Sequence, residues 1–162
     1  MDKLRESRSI GGGMSSPVLI LYASVSGTAE ELAAFTARKL RAAGLAAEMA
    51  NVADFPAARL AEFDTVLLIA STWGEGEAPP DAEVFAAALA KPARLRLPHL
   101  RYAVLALGSR AYPEFCAFGR RLDEDLAQCG AQRLRPRVEC DTKLKADFER
   151  WLAEVLRVLV RP

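Results

Sequence analysis

Histidine is nearly missing from this chain: His99, in a Pro-His-Leu stretch, is the only one among 162 residues. A Ser-His-Asp triad would have to be built on that one residue, and a multi-histidine metal centre is short of ligands. Cysteine is scarce as well, and Cys116, Cys129 and Cys140 are widely spaced with no CxxC. That excludes a disulfide framework and argues for a reducing, cytoplasmic setting. No apolar run approaches the ~20 residues that a membrane-spanning helix needs. Neither sign of charge dominates, with 22 basic against 21 acidic side chains, so the basic footprint of a nucleic-acid binder is missing. The balance hides a dipole: residues 1–93 hold 8 basic and 12 acidic residues, and residues 94–162 hold 14 and 9. Either solvated faces or a charged partner accounts for it.

The length suits one domain with a real core. Met1 to Gly13 (MDKLRESRSIGGG) is charged and then glycine-rich, without an apolar signal-peptide centre. It reads as a tag, with residues 14–162 forming the domain. Three short runs are almost purely apolar: Val18 to Tyr22, Val66 to Ala70 and Tyr102 to Leu107. Apolar strands without alternation imply burial on both faces, as in a parallel sheet covered by helices. Helical spacing separates them. Glu30 to Ala43 aligns Leu32, Phe35 and Leu40. Pro113 to Cys129 aligns Phe115, Phe118, Leu122 and Leu126 and leaves Asp123, Glu124 and Asp125 mostly outside the stripe. The last segment aligns Leu144, Phe148, Leu152, Val155 and Leu159. Gly44 and Gly130 occupy helix C-cap positions. Leu45 to Val52 and Gln132 to Cys140 carry charges, and the latter also carries Pro136, so both read as edge strands. The pattern βαβαβαβαβα predicts an α/β three-layer sandwich around a five-stranded parallel sheet of order 2-1-3-4-5.

In such a sheet ligands bind at the carboxyl ends of the central strands, and three unusual loops meet there. Ser24-Val25-Ser26-Gly27-Thr28-Ala29 combines hydroxyls, a glycine and the free amides of a helix start, which together suit an anion. It has no lysine, so it is not a Walker A loop. A phosphate cradle and a plain capping box of Thr28 with Glu31 are both compatible with it. Ser71-Thr72-Trp73-Gly74-Glu75-Gly76 places a large flat side chain beside two glycines. Trp73 there either packs on a neighbouring helix or covers a ligand. Leu107-Gly108-Ser109 leads through Tyr112 to Phe115 and Cys116, and Tyr112 is either a second ring wall or an ordinary staple contact. Together the loops describe a site for a flat ring bearing a ribityl phosphate, which is FMN.

At these residues the chain resembles the FMN-binding, flavodoxin-like domain of the diflavin reductases, and most of all the flavoprotein subunit of assimilatory sulfite reductase. The stretches SVSGTAEELA, STWGEGEAPPDA, LALGSRAYPEFCAFGRRLDEDLAQCGAQRL and RVECD carry the resemblance across nearly all of Val18 to Asp141. It implies that the first loop, from Ser24 through Ala29, holds the FMN phosphate. It implies that the loop from Ser71 to Gly76 flanks the ring. It further implies that Leu107, Gly108, Ser109, Tyr112, Phe115 and Cys116 line the ring and ribityl chain, with Glu139 or Asp141 near the flavin edge. Trp73 and Tyr112 are the expected sandwich, and Glu75, Glu77 and Asp81 would add negative charge beside the ring. Gly74 would let its peptide flip toward the ring as the ring takes up an electron, so Gly74→Val should narrow the gap between two one-electron steps. There are departures: glutamine is commoner at the Trp73 position in sulfite reductase, tryptophan is similar to free-standing flavodoxins, and the relatives are more acidic. Cys140 between two acids is expected to be a packed thiol.

The implied function is one-electron transfer, from an FAD/NADPH module on the same or a separate chain to a metal-centre acceptor such as sulfite reductase haemoprotein. The domain would be part of an enzyme and not a complete one. The alternative is a free-standing flavodoxin shuttle. A phosphoryl receiver of the same strand order needs aspartates where Ser24 and Ser71 stand. A quinone reductase of this fold would need a nicotinamide site that is not visible.

Overall fold

A computed structural model describes residues 16–24, 27–72, 79, 82–108, 116–141 and 143–160. In chain order the elements are β1 (Val18–Ala23), α1 (Thr28–Ala42), β2 (Ala47–Asn51), two 3-10 turns (Val52–Asp54 and Ala57–Glu62), β3 (Thr65–Ser71), α2 (Glu83–Leu89), β4 (Arg101–Leu107), α3 (Ala117–Gln128), β5 (Gln132–Arg133), β6 (Val138–Cys140) and α4 (Leu144–Val160). The sheet is parallel throughout, in the order β2-β1-β3-β4-β5, and β6 also pairs with β4. The expected order 2-1-3-4-5 is the observed one.

The period-2 geometry of strands divides the apolar runs between two cores. Leu19, Leu21, Val66, Leu68, Tyr102 and Val104 face one cluster, which α2, α3 and the 3-10 turns cover. Ile20, Leu67, Ile69, Ala103 and Leu105 face the other, which α1 and α4 cover through Ala33, Leu40, Phe148, Trp151 and Val155. Burial on both sides is why these strands carry no polar alternation. Each fully buried large side chain contributes roughly 1.5–3 kcal/mol. Gly44 at φ +90° and Gly130 at φ +94° end their helices left-handed, as the sequence led us to expect.

Three details differ from the sequence reading. The crossover from β2 to β3 is not an α-helix but the pair of 3-10 turns. Pro56 has no N–H to give, and Phe55 before it is extended at φ −120°, so no helix can run through. The turns still bury Val52, Phe55, Leu60 and Phe63 against the sheet, so the layer stays closed.

The second difference is that the fifth strand is split. Gln132–Arg133 pairs with the start of β4 and Val138–Cys140 with its end, and the segment holding Pro136 leaves the ladder between them.

The third concerns Asp123, expected outside the apolar stripe of α3. It is 3% exposed. Its carboxylate accepts from Arg133 Nε at 2.7 Å and from Arg137 Nη1. A buried carboxylate is tolerated when two guanidiniums complete its hydrogen bonds.

Candidate functional site

Four chain segments leave the sheet at its carboxyl edge: Ser24 after β1, Thr72 after β3, Gly108 after β4 and Asp141 after β6. Register puts the strand ends in line, with Ala23 opposite Ala70, Ser71 opposite Leu107, and Leu107 opposite Cys140. The pairing continues past the strands, because Thr72 N–H donates to the Leu107 carbonyl and Gly108 N–H to the Cys140 carbonyl, each at 3.1 Å. This edge contains the switch point between β1 and β3, where the sheet order reverses.

Of the residues singled out from the sequence, the structure brings Ser24, Gly27, Thr28, Ala29, Ser71, Thr72, Leu107, Gly108, Cys116 and Asp141 to this edge or to the helix starts above it. Val25, Ser26, Trp73, Gly74, Glu75, Gly76, Ser109, Tyr112 and Phe115 lie outside the described residues. The two proposed ring walls are among them.

The first loop has a definite geometry. Gly27 is the N-cap of α1, at φ +93° and ψ −10°, a left-handed conformation that costs a side-chain-bearing residue roughly 1–2 kcal/mol. Its N–H donates to Ser24 Oγ at 2.8 Å. Its carbonyl accepts from Glu31 N–H at 3.1 Å, the first helical bond of α1. Thr28 is thus the first helical residue and not the cap, so the capping-box alternative gives way. No side chain caps the helix from Gly27. A Cβ built on Gly27 meets no heavy atom within 4 Å among the described residues, its two chain neighbours aside. The start of a helix, at the positive end of its dipole and beside the Ser24 hydroxyl, is a place where a phosphate monoester can bind. Ala29 is fully buried in the core, so what it can offer an anion is its backbone N–H.

Tyr22, at the end of β1, borders this loop. Burial first, and then the Glu30 carboxylate that its hydroxyl meets, push its phenol above the ordinary value. It stays a neutral hydrogen-bond donor there.

The third loop begins at Gly108, where a Cβ would stand 2.7 Å from Cys116 N, so only glycine fits so close to the start of α3. Cys116 is the N-cap of α3 and is left-handed at φ 56°, the single described non-glycine residue with positive φ. It is fully buried, and its thiol faces the Ala106 carbonyl at 3.3 Å and the Cys140 carbonyl at 3.7 Å. Cys116 thus turns its sulfur into the strand ends. Leu107 likewise sends its side chain into the core and offers the site its backbone. Cys140 is the packed thiol that was expected. It is 1% exposed, and burial, with Asp147 and Cys116 adding to it, pushes its thiol up to about 12. All three cysteines are free and buried.

One relationship was missed from sequence. The Phe118 N–H in the first turn of α3 donates to Thr72 Oγ1 at 3.1 Å, across 46 residues of chain. The only local hint was that Cys116 and its neighbours offer no good capping side chain.

A parallel 2-1-3-4-5 sheet with an anion-ready first loop and two further loops at the same edge defines a flavodoxin-type domain. The flavodoxin family matches residues 20–151, and the chain belongs to that family. Its cofactor is FMN. Among relatives, the chain is 39% identical over 139 residues to the sulfite reductase [NADPH] flavoprotein alpha-component of Shewanella sp. (strain MR-7), covering 86% of this chain and 23% of that protein. It is 35% identical over 146 residues to the corresponding protein of Bacillus subtilis (strain 168), covering 90% and 24%. The chain thus spans about a quarter of the length of these relatives. Among solved structures, the Streptococcus pneumonia TIGR4 flavodoxin aligns with a TM-score of 0.79 at 28% identity, over 89% of this chain and 98% of that one. Oxidised flavodoxin 1 from Bacillus cereus aligns with a TM-score of 0.77 at 29% identity, over 88% and 98%. No helix among the described residues is long and apolar enough to cross a membrane.

Proposed function

We propose that residues 14–162 form the FMN-carrying, one-electron transfer domain of an NADPH-dependent diflavin reductase of the sulfite reductase flavoprotein kind. The observation that carries this reading is the similarity to sulfite reductase flavoproteins, 39% identity over 86% of the chain for one and 35% over 90% for another. Bound FMN supplies electron storage and release in single steps. The protein's part is to hold and tune it. Thr28 and Ala29 present backbone amides, and Ser24 and Ser26 hydroxyls, to the phosphate, and Gly27, tied to Ser24, lets the backbone turn close to it. Trp73 and Tyr112 wall the ring. Gly74, Glu75 and Gly76 approach one edge of the ring, with Ser71, Thr72, Gly108, Ser109, Phe115, Cys116 and Asp141 along the remainder. Electrons arrive from an FAD/NADPH module, on this chain's continuation or a separate one, and leave to a metal centre such as sulfite reductase haemoprotein. Three buried, free thiols support a reducing, cytoplasmic compartment.

The test is direct. The purified protein should carry a flavin spectrum, release a cofactor of FMN mass, and oxidise no NADPH until an FAD/NADPH module is supplied. A colourless protein that takes no FMN at micromolar concentration overturns the reading, and so does unaided NADPH turnover.

A second reading, a free-standing flavodoxin shuttle, is favoured by one feature of the sequence: Trp73, where sulfite reductase flavoproteins more commonly carry glutamine. Electron delivery to a sulfite reductase haemoprotein that saturates at low micromolar haemoprotein supports the first reading. Delivery only to a flavodoxin acceptor supports the second.

A further inference from the structure

The second and third loops are joined by one side chain. We propose that Thr72 is a positioning residue: its hydroxyl caps α3 in place of a local N-cap and so ties the end of β3 to the start of α3, fixing where the two ring-flanking loops are rooted before FMN arrives. This rests on the FMN reading above. Four observations carry it. Thr72 Oγ1 accepts from Phe118 N–H at 3.1 Å. The N-cap residue itself, Cys116, makes no side-chain cap hydrogen bond. Its left-handed backbone at φ 56° is a strained conformation that persists only when its surroundings hold it. Finally, Thr72 N–H is tied to the Leu107 carbonyl at 3.1 Å, so the capping oxygen is itself held at the sheet edge.

The physical consequence concerns entropy. The loop after Thr72 and the loop ending at Cys116 are separated by a whole βαβ crossover, yet the cap makes the end of one and the end of the other share a hydrogen bond. Fixing these two anchor points in advance reduces what must be ordered when the ring binds, and that is how preorganisation raises affinity. A threonine suits the position because its β-branch restricts χ1 and keeps the oxygen aimed. Its hydroxyl hydrogen is not consumed by the cap and remains available as a donor.

The test uses the whole chain with Thr72→Val, which keeps the shape and removes the acceptor, and Thr72→Ser, which keeps the acceptor. In the FMN-free protein, amide hydrogen exchange at Phe118 should accelerate about tenfold in Thr72→Val and stay near wild type in Thr72→Ser. FMN titration, followed by flavin fluorescence, should show a dissociation constant about fivefold to tenfold higher for Thr72→Val. Serine should restore most of the affinity. A lowered melting temperature with unchanged FMN affinity would mean the cap is structural only, and this would overturn the proposal. Equal losses in the valine and serine variants would overturn it too, because serine keeps the capping hydroxyl and its loss could not come from the cap. Wild-type protein that takes no FMN overturns this proposal together with the functional reading, whereas wild-type binding with an unaffected Thr72→Val overturns this proposal alone.

Discussion

Arg137 is shared between Asp123 and Glu139. Its Nη1 donates to Asp123 Oδ2 on α3, and its Nε donates to Glu139 Oε2 on β6 at 3.0 Å. Arg133 reaches the other oxygen of Asp123, so two guanidiniums hold the buried carboxylate, and Arg137 links it to Glu139, which Arg120 approaches at 3.5 Å. The Tyr102 hydroxyl adds a bond to the Asp123 backbone carbonyl at 2.8 Å. This network holds the short fifth-strand segments against α3, where backbone pairing alone is sparse.

Removing the carboxylate should therefore be costly. Asp123→Ala leaves two arginines facing a low-dielectric gap and is expected to destabilise the fold by about 3 kcal/mol, the low end of the range for breaking a buried ion pair, because both guanidiniums can partly rehydrate. Urea denaturation monitored by circular dichroism checks this, and a loss under 1 kcal/mol would show that the network is not structural.

Trp151 is fully buried and its indole N–H has no acceptor among the described residues. Trp151→Phe removes that unsatisfied donor while keeping much of the stacking on Phe148, whose ring centroid lies 6.4 Å away. Its destabilisation should be well under that of Trp151→Ala, for which about 3–5 kcal/mol is expected. Thermal melts of the two variants decide the matter.

Gly108→Ala places a methyl group 2.7 Å from Cys116 N. The start of α3 must shift to admit it, at a cost of about 1–3 kcal/mol in stability. Because the shift lies at the candidate site, FMN affinity should fall as well. Gly44→Ala, at a left-handed φ of +90° but remote from the site and unobstructed, should cost stability while leaving affinity unchanged.

Alkaline pH should destabilise the protein through its thiols and phenols. Cys140 is raised to about 12 and Cys129 is also raised, burial being the largest cause for each. The folded state thus keeps a proton that the unfolded chain releases near pH 8.5–9. Stability from these groups is fully present below that pH and falls as pH rises toward about 12, by up to about 1.4 kcal/mol per pH unit per group. Denaturation midpoints between pH 8 and 11 should fall steadily. At pH 8, a thiol reagent should label three cysteines in denaturant and far fewer in the native protein.

Much of the fold was readable because it depends on local pattern. Val66-Leu67-Leu68-Ile69-Ala70 can only be a strand buried on both faces, and Phe118, Leu122 and Leu126 can only line one side of a helix. The turn at Gly27 and the start of α1 were readable because the hydroxyls, glycine and helical pattern of that loop are contiguous. The Arg133, Arg135 and Arg137 alternation looked like a solvated edge. A continuous strand would put these side chains on one face. The break between β5 and β6 instead lets Arg133 and Arg137 reach Asp123 on α3 while Arg135 reaches Glu154 on α4, on opposite sides of the sheet.

What the chain's order of residues determined by itself was the layer architecture, the strand order and the edge at which chemistry gathers, since hydrophobic period and crossover handedness are short-range properties. Tertiary structure alone decided that Asp123 is buried, that Cys116 turns its sulfur into the strand ends and that Thr72 caps a helix beginning 45 positions later. Those outcomes depend on hydrogen-bond partners brought together by folding, and no local pattern encodes which distant group will be there to accept.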